Sequence, residues 1–216
     1  MKFKAAYSIG FCFLGSTLVL GGITAAQQQN TDGQRRFPQP ATEKEVTVTA
    51  IPDVIAAGSE WKLVWQGPDN ADGLVGTSDG GIVFAQEQPS TVGRLDPNDN
   101  FSILVRDTNG TGGLSFDNEG RLIGAERTCS DPGGNPEECD EPARLVVLQP
   151  TREVLASDYN GQTFWRMRGD IAVDSKGGAY FGDVEGTYYV NSGGEVSLVA
   201  DTDEVSTNGM ILSPDE

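Results

Sequence analysis

Residues Gly169–Gly182 read G-D-I-A-V-D-S-K-G-G-A-Y-F-G, and the chain repeats this segment in three further versions. Asp72–Ala85 reads D-G-L-V-G-T-S-D-G-G-I-V-F-A, and Gly112–Ala125 reads G-G-L-S-F-D-N-E-G-R-L-I-G-A. Asn208–Glu216 reads N-G-M-I-L-S-P-D-E. The second residues of the four versions, Gly73, Gly113, Asp170 and Gly209, fall 40, 57 and 39 positions apart. A unit that recurs about every 40 residues, and is too short to bury a core alone, predicts a β-propeller. The expected class is all-β, an incomplete propeller of about four repeats in residues 46–216, because residue 216 falls inside the fourth repeat.

Within each version the pattern is strand, tight turn, strand. Leu114 and Phe116 precede Asp117-Asn118-Glu119-Gly120, and Ile171 and Val173 precede Asp174-Ser175-Lys176-Gly177. Asp, Asn, Ser and Gly supply the Asx and left-handed conformations that short hairpins need. Apolar runs at Ser102–Val105, Arg144–Leu148 and Val196–Val199 supply further strands, and no amphipathic helix is foreseen. Upstream, Val46–Ile51 alternates as a short strand. Trp61, Leu63 and Trp65 alternate again, which places two indoles on one face for core packing.

Composition excludes several chemistries. The 216 residues contain no histidine, which removes Ser-His-Asp and Cys-His mechanisms and every His-ligated metal site. Oxygen donors are abundant, with 32 Asp and Glu against 15 Lys and Arg, and oxygen suits hard cations such as calcium. A net charge of −17 argues against nucleic acid or an anionic membrane as partner.

Lys2 and Lys4, the uncharged stretch Ala5–Ala26 and the small residues Thr24-Ala25-Ala26 read as a signal peptide over 1–26. The expected location is periplasmic or secreted; the rival reading is an uncleaved anchor. Residues 27–45 are polar and without periodicity, a flexible linker. Cys12 would leave with the signal. Cys129 and Cys139 would then form one disulfide in a Pro/Gly-rich loop, which accounts for the longer 57-residue interval. Closing so short a loop stabilises by about 2–3 kcal/mol.

In a propeller the innermost strands line a central channel, so the residues that open successive repeats converge at its mouth. Here they are Asp72, Gly112, Gly169 and Asn208. Asp72 and Asn208 offer oxygen atoms in the same register.

The segments Val154–Gly161, Gly169–Asp174 and Gly177–Asp183, with Gly113–Leu122 and Asn208–Asp215, resemble the gluconolactonase branch of the regucalcin-like (senescence marker protein) superfamily. The resemblance spans about Asp72–Glu216. It implies a six-bladed propeller that holds one divalent cation, usually calcium, and hydrolyses a lactone with metal-activated water. Carried onto this chain, it makes Asp72 and Asn208 metal ligands and Asp170 a substrate-binding residue. A further Asp, ligand and base, falls beyond Glu216. Asp72 stands where the family usually has Glu, and Gly169 where it has a substrate-binding Asn, so Gly169→Asn is expected to restore an amide contact.

The reading is therefore an exported calcium-dependent lactonase or related ester hydrolase acting on a small lactone. The alternatives are a weakened propeller that binds a sugar-like ligand or a protein, and a related propeller with other chemistry, such as strictosidine-synthase-like condensation.

Overall fold

Strand after strand in this chain pairs with the one before it. The computed structural model describes residues 47–67, 70–127, 142–201, 204 and 207–216. The signal (1–26), the linker (27–45) and the Cys129–Cys139 pair lie outside them. Among the described residues there is no helix. Three four-stranded antiparallel sheets follow in chain order, each a simple meander.

The first sheet is β1 (Asp72–Gly76), β2 (Ile82–Gln86), β3 (Thr91–Leu95) and β4 (Phe101–Arg106). The second is β5 (Gly113–Phe116), β6 (Leu122–Glu126), β7 (Arg144–Gln149) and β8 (Glu153–Ala156). A small hairpin, β9 (Asp158–Tyr159) and β10 (Gln162–Thr163), turns through Asn160 and Gly161 at φ 52° and 80°. The third sheet is β11 (Arg168–Val173), β12 (Ala179–Asp183), β13 (Gly186–Val190) and β14 (Val196–Asp201). Each of the first three repeated segments is thus the first hairpin of a sheet, while the fourth, Asn208–Glu216, forms no strand; the predicted later strands are β4, β7 and β14.

The sheets stack face to face, because the middle one is apolar on both faces. Leu122, Val146 and Leu148 bury against Val83, Ala85 and Val92 of the first sheet. Their neighbours Ile123, Ala125 and Leu145 bury with Ile171, Phe181 and Tyr188 of the third. A strand buried on both faces reads as a continuous apolar run, which is why Leu145–Leu148 shows no alternation. Each fully buried side chain contributes about 1.5–3 kcal/mol, so these two interfaces are what joins the sheets.

At one end of the stack the first strands touch backbone to backbone. A Cβ on Gly73 would run into the Gly112 carbonyl, one on Gly113 into that of Gly169, and one on Gly169 into that of Asn208. Gly73 and Gly169 also have φ of 52° and 59°, where a side chain is strained. The glycines of the repeat are therefore spacers between neighbouring sheets.

The opposite end is closed by side-chain caps within each hairpin. Asp117 Oδ1 accepts the amides of Glu119 (2.9 Å) and Arg121 (2.8 Å). Asp174 Oδ1 accepts those of Lys176 (2.9 Å) and Gly178 (2.7 Å), and its Oδ2 accepts the Tyr189 hydroxyl (2.7 Å). Successive tips are linked as well, since Asn118 Nδ2 donates to the Asp174 carbonyl at 3.1 Å.

Upstream of β1 the structure departs from expectation. Residues 47–50 are not a strand, and Ile51 bridges only to Ile55. Trp65 does pack, with ring centroids 4.8 Å from Phe84 and 5.0 Å from Phe101. Trp61 and Leu63 are 79% and 75% exposed. Alternation identifies a buried face only where a partner strand exists, and this segment lies on the first sheet without pairing into it.

Candidate functional site

The mouth is built where the innermost strands begin. Asp72 opens β1 opposite Ala85, and an irregularity follows before Val75 pairs with Val83. A larger one separates Arg168 from Ile171 in β11, where Arg168 faces Gly182 and Ile171 already faces Phe181. Asp170 lies in that bulge, off the regular ladder. Bulges of this kind re-aim a side chain at the rim of a sheet.

The outcome is a pair of carboxylates from two different sheets. Burial pushes the Asp170 carboxyl above its ordinary range, the charge of Asp72 pushes it further, and the Met210 amide partly offsets both. Asp72 Oδ1 accepts the amide of its neighbour Gly73 at 2.9 Å. Asn208 joins through the backbone: the Asp170 N–H donates to its carbonyl at 2.9 Å, and its side chain is exposed. Asp170 is therefore the member that touches both Asp72, by charge, and Asn208, by hydrogen bond. Among the described residues no three His, Cys, Asp or Glu side chains gather as a metal-binding group.

The donor set, two carboxylates beside an Asn, is all oxygen and suits a hard divalent cation. Two like charges close enough to raise a carboxyl pKa are what such a cation relieves. On these grounds the residues fit calcium.

Position 169 overturns one expectation. At φ 59°, with the Asn208 backbone where a Cβ would stand, this site cannot take the family's Asn without moving the segment at Asn208. The glycine is required by the packing of this chain.

Sequence reasoning missed the residues just past each repeated segment. Asn70 Nδ2 donates to Glu87 (3.2 Å), Asn109 Nδ2 to Glu126 (3.4 Å), and the amide of Arg166 to Asp183 (2.6 Å). Each pair is separated by 17 positions. In every sheet a buried carboxylate at the end of the second strand thus ties down the linker that enters the first. Glu126 is fully buried and carries Arg144 at 3.3 Å and Arg152 as ion-pair partners. The signal was present: an acidic residue, Glu87, Glu126 or Asp183, stands one or two places after each of the three segments, and buried acidic residues at strand ends need partners.

No sequence-family profile matches the chain, and no curated protein matches it. Solved structures do. A structural-genomics protein carrying a gluconolactonase assignment aligns at TM-score 0.60 and 16% identity, over 74% of this chain and 58% of that one. A Xanthomonas campestris gluconolactonase aligns at 0.52 and 14%, over 64% and 50%. A streptogramin B lyase aligns at 0.50 and 12%, over 70% and 48%. The chain spans about half the length of these relatives. At such identities the likeness establishes the fold, a gluconolactonase-like propeller, and leaves the chemistry to the site.

Proposed function

We propose that this chain carries the metal-binding mouth of a calcium-dependent lactonase or related ester hydrolase, exported through its residues 1–26 to the periplasm or beyond. The observation that carries the reading is the pairing of Asp72 with Asp170, from separate sheets, beside Asn208. Asp72, Asp170 and Asn208 would hold the cation. Bound there, it supplies Lewis acidity toward a lactone carbonyl and lowers the pKa of a bound water. The protein's own part is positional: the β11 bulge and the glycine contacts hold Asp170 and Asn208 together, and the small lactone enters from the open side of the mouth. A six-bladed ring belongs to this reading. The alternative, a propeller that binds a sugar-like ligand without turnover, is favoured by Gly169, which has no amide to offer and no room for one.

Calorimetric titration of calcium into the protein tests the site. Binding is expected to be lost in Asp72→Ala and Asp170→Asn, which each remove a charge, and only weakened in Asn208→Ala. Unchanged binding in all three variants would refute it. Lactone hydrolysis indifferent to chelator would refute the mechanism.

A further inference from the structure

At the tip end, away from the mouth, the second and third sheets leave a cleft of about 440 Å³ between them. Its floor is the edge of their shared core: Ile123, Ala179 and Val190 are buried there, and Leu155 packs against them. Gly177, Gly193 and Gly194 line its exposed rim, and without side chains they leave it open. A concave space of this size, with an apolar floor and a few charged groups, is how small-ligand sites are built.

The two walls carry opposite charge. On the side of the second sheet, Arg121 is drawn back by Asp117, with Nε 2.6 Å from Oδ2. Glu119 and Glu153 reach the same guanidinium only at 3.5 and 3.6 Å, and their side chains stay 76% and 63% exposed. Three carboxylates thus share one cation, which leaves this wall negative. On the side of the third sheet the charged residue lining the cleft is Lys176. Its ammonium has no ion-pair partner among the described residues. It acts on Asp174 through charge alone, and that carboxylate already accepts two amides and the Tyr189 hydroxyl. Opposite charges therefore face each other across an apolar floor without closing into an ion pair.

We propose that this cleft is a second binding site, for a small zwitterion with an apolar side chain: an α-amino acid of the leucine type. Its carboxylate meets Lys176, its ammonium meets Glu119 and Glu153, and its side chain covers Ile123, Ala179 and Val190. A ligand with one charge of either sign leaves one wall unmatched, so the zwitterion is selected over both. The site is separate from the two aspartates of the mouth and does not rest on the lactonase reading.

L-Leucine, isoamylamine and isocaproate are the probes, titrated into the protein by NMR. They share the branched chain, and the last two each lack one charge. Leucine should bind tighter than either by about fivefold or more, the worth of one exposed charge pair. Lys176→Gln should lower leucine affinity to that of isoamylamine and leave isoamylamine unchanged. Glu119→Gln/Glu153→Gln should lower it to that of isocaproate. All three positions are exposed, and thermal unfolding checks that the variants fold like the parent. Absence of leucine binding, equal binding of the three probes, or leucine affinity that survives in the folded Lys176→Gln variant would overturn the proposal. So would leucine binding that is lost in Asp170→Asn, which would place the ligand at the mouth.

Discussion

Asp170 lies in the bulge of β11 and Asp174 just past its end, four positions on, and their environments push them in opposite directions. Burial disfavours the charge of both. At Asp174 the Tyr189 hydroxyl and the amides of Gly178 and Lys176 outweigh burial and hold the carboxyl below its ordinary range. At Asp170 the charge of Asp72 adds to burial, and the carboxyl sits above it. Asp117, at the equivalent tip of the second sheet, follows Asp174: burial is opposed by the Arg121 backbone and side chain and by the Glu119 amide, and the carboxyl is lowered. The tip end spends its aspartates on stability, while the mouth end keeps one in a state that a cation would relieve. Perturbation of this kind, by burial together with a named charge partner, marks a candidate functional site.

The largest test of the contrast uses one substitution at both ends. Gly169→Ala meets a positive φ and the Asn208 backbone, and should destabilise by about 2–4 kcal/mol in denaturant unfolding. Gly177→Ala, at the tip, has φ 82° but only Ser192 Cβ at 3.5 Å, and should cost about 1 kcal/mol. Equal losses would mean that close approach at the mouth does not constrain the sheets.

Next comes the cap. Asp174→Ala leaves two amides and the Tyr189 hydroxyl without their acceptor and should cost about 2–3 kcal/mol. The same change should bring the Tyr189 phenol, now pushed up to about 12 chiefly by its hydrogen bond to Asp174, back toward its ordinary range in a spectrophotometric titration. A Tyr189 unaffected by loss of Asp174 would break the account of the tip.

The smallest effect is at the mouth, and its sign is opposite. A carboxyl whose folded pKa is raised binds more protons in the folded state, so Asp170 takes stability away as pH rises through that raised value. Asp117 and Asp174, both lowered, contribute stability above the unfolded value that is lost as pH falls through their folded ones. Acidification without metal should therefore first stabilise slightly, then destabilise below the ordinary aspartate range. Asp170→Asn should abolish the first phase and gain about 0.5 kcal/mol at neutral pH, a value kept small by solvent screening. A loss of stability in Asp170→Asn would show that its charge serves the fold.

Much of the fold was legible because its determinants are local. The Asp-x-x-Gly tips, the alternating hairpins and the near-40 spacing each act within a few residues, so strand order and meander topology followed from reading along the chain. The twofold-buried run at Arg144–Leu148 was recognisable as strand, but which sheet each face would meet was not. Trp61 and Leu63 misled for a related reason: alternation records a pattern, and only a partner makes it a core.

The site was legible in part. Asp72 and Asn208 were named from their register in the repeat and Asp170 only through the family resemblance, and the structure sets Asp170 beside both others. That Asp170 carries the burden of two charges depends on the bulge in β11 and on the distance between sheets, which no single segment encodes. Glu153 and Lys176 belong to different sheets and line one cleft, a placement that no local pattern contains. The sequence by itself determined the strands, their turns and the oxygen-rich, histidine-free chemistry, because those rest on local propensity and composition. The tertiary structure alone decided which charges face one another, because electrostatic coupling depends on separation in space and on burial, and both arise only when the sheets stack.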